Sequence, residues 1–343
     1  MKVIPGHGFH LVPEVRPHHG NVLVHAKDNQ LQIYAFSRLV FVLLHRFKLV
    51  IPFMTNRSAR VANYFSLVKI NHTIFSLPFA LIGFSLALKA RSAALDFRLL
   101  ILVVLCVFFA RNAAMGFNRY ADREFDKKNP RTAFREIPKD IIKPRSALWF
   151  VLINAALFMG TAWMINFLCF ILSPIALLVI LGYSLTKRFT FLSHVSLGLG
   201  LALAPIGAYL AVTARFEILP VIYSFVVIFW VAGFDVLYAL QDVDFDTTEQ
   251  LKSIPVRFGI RKSLVISAVF HLTAVILIFI AGWYGDFHRL YWIGTLIFTL
   301  ILTYEHRVVR PNDFSKIDLA FATLNGLASV LFAVFVILDL FIR

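Results

Sequence analysis

Asn118-Arg-Tyr-Ala-Asp122-Arg-Glu-Phe-Asp126 closes one membrane-length apolar run, and Asp235-Val-Leu-Tyr-Ala-Leu-Gln-Asp242-Val-Asp244-Phe-Asp246 closes another. Carboxylates are expensive in such places. An ionised Asp at the centre of a spanning helix costs about 2.5–3.5 kcal/mol on insertion scales, so several at helical spacing need a compensating partner. A divalent cation bound through oxygen ligands is the obvious one.

The surroundings are apolar enough for that reading. The 343 residues are 59% hydrophobic and only 15% charged, with a mean hydropathy of +0.77. Nine apolar segments stand out, at 73–90, 97–117, 147–165, 167–183, 192–212, 219–240, 264–283, 290–304 and 319–341. A helix of about 20 apolar residues crosses a bilayer, so the fold class is all-α: a polytopic membrane protein with about nine transmembrane helices surrounding a central cavity. The formal net charge of +15 does not point to nucleic acid. Lys and Arg gather in the connectors at 119–145, 187–188, 252–262 and 307–316, whereas the alternate connectors carry few. By the positive-inside bias, those basic loops face the cytoplasm, with the N-terminus inside and the C-terminus outside. Both acidic clusters then face the cytoplasm. A multi-pass protein of the bacterial inner membrane is expected.

Residues 1–60 read as a tail, disordered or interfacial, and 61–343 as the transmembrane domain. His7, His10, His18, His19 and His25 lie in the tail without helical period, and Met54 is a candidate start. The run at 39–54 contains His45, Arg46 and Lys48, which suits an interfacial helix better than a tenth span. Cys106 and Cys169 lie alone inside apolar runs and read as buried small hydrophobes.

On a helix, residues four apart progress by roughly 40° around the axis, so Asn118, Asp122 and Asp126 form a stripe about 12 Å long. Asp242 and Asp246 repeat the spacing. Asp235 lies two turns deeper, and Asp244 faces away. Two such stripes suit magnesium ions that hold a diphosphate between them. In a greasy cavity this arrangement fits ionisation of an allylic diphosphate, with the metal neutralising the leaving group and water kept away from the cation.

The spacing Asn118-x3-Asp122-x3-Asp126 with Arg131-Thr132-Ala133, and Asp235-x2-Tyr238-Ala239-x2-Asp242-x3-Asp246, resembles the two aspartate-rich motifs of the UbiA superfamily of intramembrane prenyltransferases. The resemblance runs from about Tyr64 to the C-terminus. It includes Lys69-Ile-Asn-His72, Tyr183-x3-Lys187-Arg188, Ser253-Ile-Pro255-Val-Arg257-Phe-Gly259 and Asn325. Arg119 stands where many members have Asp, and Phe134-Arg135-Glu136 replaces a more usual Asn-Arg-Pro.

The resemblance implies that Asn118, Asp122, Asp126, Asp242 and Asp246 bind Mg2+ and diphosphate, and that Tyr183, Lys187 and Arg188 contact diphosphate or acceptor. Arg123 would hold an acceptor carboxylate, His72 would line the acceptor pocket, and Asp235 would orient the acceptor or stabilise the cation. The implied substrates are a polyprenyl diphosphate and a small aromatic acid, 4-hydroxybenzoate or a dihydroxynaphthoate, in ubiquinone or menaquinone biosynthesis. Haem, homogentisate or a chlorin is the alternative acceptor. An ion-coupled secondary transporter is the rival of another class, but its carboxylates should sit near mid-membrane.

Overall fold

A computed structural model describes residues 59–68, 75–311, 313–314 and 316–342. The tail histidines, Met54, the 39–54 run and His72 lie outside the described residues. Within them the chain forms α1 (Ala59–Leu67), α2 (Leu77–Arg91), α3 (Phe97–Ala121), α4 (Arg123–Lys128), α5 (Pro144–Ile165), α6 (Phe167–Thr186), α7 (Ser193–Thr213), α8 (Ile218–Ala239), α9 (Val243–Thr248), α10 (Ile254–Tyr284), α11 (Arg289–Val308) and α12 (Asn325–Phe341). A 3-10 turn, Leu240–Asp242, joins α8 to α9, and a π-helical turn, Leu319–Leu324, leads into α12.

Local chemistry sets the ends. Asp96 caps α3 by accepting from Leu99 N at 3.1 Å, and Asn166 caps α6 by accepting from Cys169 N at 2.8 Å. Prolines occupy the first turns of α2, α5 and α10, where a missing N–H costs nothing. Ser92 and Ala214 end α2 and α7 in the left-handed region. Pro174 and Pro205 sit inside α6 and α7, which membrane helices tolerate when neighbours re-satisfy the freed backbone groups.

Each of the nine apolar segments is represented by a helix, but among the described residues only seven helices are long and apolar enough to cross a membrane. The expected count of nine spans is therefore not met by length and composition alone. α11 carries Glu305, His306 and Arg307 in its 20 residues. α2 has only 15 residues, and every residue from Leu77 to Leu88 is buried. A helix apolar all round belongs in the interior, and α2 is packed between α7 and α12. Gly83 makes that packing feasible, because a Cβ there would lie 2.0 Å from Pro205 O. Around α2 an aromatic core forms from Phe79, Trp230, Phe234, Phe298 and Phe332.

The core also contains a connected polar group. Trp230 Nε1 donates to Asn325 Oδ1 at 2.8 Å, and Asn325 Nδ2 donates to Glu305 Oε1 at 2.8 Å and to Ala320 O at 3.0 Å. The last bond ties α12 to the π-helical turn. At the opposite end, Asp339 accepts from the backbone N–H groups of His288 and Tyr291 at 2.8 and 3.1 Å, holding the start of α11.

Candidate active site

Both acidic clusters fall where a long helix breaks. α3 stops at Asp122 (φ −93°, ψ 5°), and the chain continues as α4. Asp242 has nearly the same conformation (φ −106°, ψ 4°) between the 3-10 turn and α9. At the first break the backbone bonds Asp122 N to Asn118 O (2.9 Å) and Asp126 N to Asp122 O (2.8 Å) persist, so the expected stripe survives a change in backbone angles. Asn118 Nδ2 donates to Asp122 Oδ2 at 3.1 Å along it.

The loop after α4 brings the two clusters together. Asn129 Nδ2 donates to Asp242 Oδ1 at 3.2 Å, and Arg131 forms a two-pronged bond with both Asp242 oxygens while its Nη1 donates to Tyr238 OH at 2.9 Å. Lys128 reaches Glu249 at 2.7 Å. Such links require α3 and α8 to present their acidic ends at the same end of the bundle. Basic residues face the remaining acids. Arg135 pairs with Asp126 at 2.6 Å, and Lys187 and Arg188 approach Asp122 at 3.5 and 3.6 Å. Burial raises the Asp122 carboxyl above its ordinary range, while the Lys187 ammonium pulls it back down.

From this charged mouth a cavity of about 600 Å³ runs the length of the bundle between α3, α6, α7 and α8. Asn118, Asp122, Asp126, Tyr183, Lys187, Asp235, Asp242 and Asp246 all line it. Its far wall is apolar, with Val103, Ile165, Cys169, Leu210, Ala211 and Phe216. Val103 and Asp122 are separated by about 28 Å at the helical rise, close to a bilayer's hydrocarbon thickness. A long apolar chain fits that shape with its anionic head at the mouth.

Two expected ligands sit elsewhere. Arg123 does not line the cavity: its guanidinium donates to Tyr120 O at 2.8 Å and lies over the Tyr120 ring. As the first residue of α4 it bends back onto the end of α3, so the role expected for it in holding an acceptor carboxylate has no geometric support. Arg188 also lies outside the lining, donating to Ala121 O at 2.6 Å, lying over the Phe125 ring and approaching Asp122 at 3.6 Å. Asp244 is exposed, as its angular position implies.

The cavity adds residues that the spacing arguments passed over. Arg111 and Arg119 line it from α3. Neither guanidinium has a hydrogen bond or an ion pair among the described residues, and the Nε atom of each is buried without a partner. Arg111 lies seven residues before Asn118, so it is two turns, about 10.5 Å, deeper on nearly the same face. Asp235 lies seven residues before Asp242 on α8 and lines the same cavity. His194, which bonds to Asp235, is the other addition. A cation in the middle of an apolar run was the available signal for Arg111, since such groups are rarely placed in a membrane without a function.

The acidic groups suit a divalent ion. Asp122 Oδ1 and Asp126 Oδ2 are buried without a hydrogen bond, and an all-oxygen set of carboxylates is what magnesium accepts. Arg131 and Arg135 would have to release Asp242 and Asp126 to it.

Comparison with known proteins bears on the sequence and the fold as a whole. The family model described as UbiA prenyltransferase family matches residues 76–333. A 4-hydroxybenzoate octaprenyltransferase of Herminiimonas arsenicoxydans is 29% identical over 83% of this chain and 99% of its own length. The protein of the same name from Vesicomyosocius okutanii is 30% identical over 69% of this chain and 86% of its own. Among solved structures, a UbiA homolog from Aeropyrum pernix superposes with a TM-score of 0.66 at 30% identity, covering 75% of this chain and 96% of that one. A UbiA homolog from Archaeoglobus fulgidus bound to GPP and Mg2+ shares the fold, with a TM-score of 0.63 at 22% identity over 80% of this chain and 98% of that one.

Proposed function

The chain belongs to the UbiA prenyltransferase family, and from that premise we propose that it transfers a polyprenyl group from polyprenyl diphosphate to a small aromatic acid, 4-hydroxybenzoate or a dihydroxynaphthoate, in quinone biosynthesis. One observation carries the choice of acceptor. Arg111 lines the cavity with its Nε buried and with no hydrogen bond or ion pair among the described residues, and a planar fork of donors is best matched by a carboxylate. Asp235 lines the same cavity, beside the ring of an acid anchored on Arg111. The names of the relatives point to the same acceptor class.

In this reading Asn118, Asp122, Asp126, Asp242 and Asp246 hold Mg2+ and the diphosphate. When bound, magnesium neutralises the charge that grows on the departing diphosphate. Lys187, Arg119, Arg131 and Arg135 turn toward the phosphate oxygens, Arg131 and Arg135 giving up Asp242 and Asp126 in exchange. Tyr183 lines the path between the two substrates. The bond from the allylic carbon to the diphosphate oxygen breaks with its electron pair on oxygen. A ring carbon activated by the hydroxyl supplies the pair for the new carbon–carbon bond, and the ring then loses a proton. The apolar walls exclude water, which would quench the cation. In the same reading the mouth faces the cytoplasm, which the positive-inside bias of the basic connectors favours, and residues 61–343 are the catalytic unit, with 1–60 as an accessory tail.

The test is incubation of membranes containing the protein with a labelled polyprenyl diphosphate and a panel of acceptors, with and without magnesium. The panel holds 4-hydroxybenzoate, dihydroxynaphthoates, homogentisate and haem. Label should enter a hydroxylated aromatic acid only when magnesium is present. Transfer to haem alone, or to none of them beside an active control enzyme, would overturn the assignment.

A further inference from the structure

His194 is the second residue of α7, and it is buried. Each ring nitrogen has a partner: Nδ1 lies 2.7 Å from Asp235 Oδ2, and Nε2 lies 3.3 Å from the backbone nitrogen of Ile254, the first residue of α10. A backbone N–H can only donate, so Nε2 is the accepting nitrogen. Nδ1 therefore carries the proton and gives it in a hydrogen bond to Asp235. The imidazole is neutral in this arrangement and both of its nitrogens are engaged, so His194 cannot itself take up a proton from a substrate without breaking the bond to Ile254.

Asp235 is placed differently. One oxygen is fixed by His194, while the other has no partner among the described residues, and the side chain is 21% exposed where it lines the cavity. Asp122, Asp126 and Asp242 at the mouth face Lys187, Arg135 and Arg131, whereas the partner of Asp235 is a neutral ring. It also lies about two helical turns below the diphosphate end. A carboxylate held at one oxygen and open at the other, beside the site for an aromatic ring, has the geometry of a general base.

We propose that Asp235 removes the proton that the aromatic acceptor loses, and that His194 is its positioning residue. The proposal rests on the acceptor reading above. As the ring carbon bonds to the allylic carbon, the pair of the broken C–O bond leaves on the diphosphate. The C–H pair of that ring carbon then returns to the ring, and its proton passes to the open oxygen of Asp235. His194 keeps its own proton throughout. It holds the carboxylate rotamer and, through Ile254, ties α8 to the start of α10, which follows the second acidic segment.

The experiment uses the full-length protein in detergent or nanodiscs, with saturating polyprenyl diphosphate and the acceptor found for the wild type, either unlabelled or deuterated at the ring position that is alkylated. Asp235→Asn should lower kcat by about 10²–10⁴-fold, the usual worth of a general base, with KM for the donor unchanged. His194→Ala should lower kcat by roughly tenfold or more, leave KM for the donor unchanged, and enlarge the ring-deuterium isotope effect, because proton removal becomes limiting. His194→Asn keeps an amide donor for Asp235 and should restore most of the rate and the wild-type isotope effect. An isotope effect in His194→Ala no larger than in the wild type, a raised donor KM, or no rescue by Asn would overturn the proposal alone. A wild type that alkylates no aromatic acid would overturn the acceptor reading and this proposal together.

Discussion

On the α10–α12 side of the bundle, most buried polar groups are spent on one another, Glu305 Oε2 being the exception: it has no hydrogen bond among the described residues and lies 3.9 Å from His271 Nδ1. Trp230 gives its N–H to Asn325, Asn325 gives to Glu305 and Ala320, and Asp339 takes the first backbone donors of α11. On the α3–α6 side, Arg111 and Arg119 leave nitrogens without partners, and Asp122 and Asp126 leave oxygens. Both regions are surrounded by the same aliphatic and aromatic side chains, so apolarity does not distinguish them. The difference teaches where binding energy is held in reserve. A buried polar group left unpaired costs about 1–3 kcal/mol, and more when charged, and a protein carries that cost where a ligand will repay it.

Four changes would break or sharpen that contrast. The largest effect belongs to the mouth: Asp122→Ala or Asp242→Ala should reduce magnesium-dependent transfer by at least about 10²–10³-fold, the scale seen when one electrostatic stabiliser of a transition state is removed. Insertion should be normal, and undiminished turnover in both variants would end the metal-diphosphate assignment. Next comes Arg111→Ala, which should cut kcat/KM for the acceptor by roughly ten- to a hundredfold, the worth of a hydrogen bond to a charged group. Donor KM should stay constant in the same titrations, and a donor defect instead would move Arg111 to the prenyl site.

On the paired side the expectation reverses. Asn325→Leu leaves Glu305 and Trp230 without their partner and should cost about 1–3 kcal/mol of stability, read as a lower Tm in detergent, with kcat and both KM values close to normal in the protein that folds. Loss of activity without loss of stability would show that this network takes part in the chemistry. The smallest effect is expected from a chain that begins at Met54, which should insert and turn over like the whole protein. A truncated protein that inserts but is inactive would tie the histidine-rich tail to the mechanism.

The acidic stripes were legible because four-residue spacing survives a bend in the helix: the i to i−4 bonds across Asp122 hold despite its non-helical angles. The family was legible from the same residues. Arg111 was hidden by averaging, since two cations, Arg98 and Arg111, barely change the apolar character of the run 97–117. Arg123 attracted attention because it adjoins Asp122, yet successive residues on a helix point about 100° apart, and it turns away from the cavity. His194 gave no signal, because a lone histidine at the start of an apolar helix has no period to betray a partner 41 residues away. Pairings across that much chain are made by packing, which spacing does not encode.

The buried helix α2 has a consequence for how the protein is made. It presents no face to lipid, and its 15 residues reach only about 22 Å, well short of the roughly 30 Å hydrocarbon layer. Its walls come from later in the chain, with Ala208 and Ala211 of α7 and Ile337 of α12 packed against it. Contact with lipid is therefore not what holds α2 in the folded protein. Its permanent environment is complete only after the last helix has left the ribosome, so the first long helix of the described chain is among the last to be enclosed.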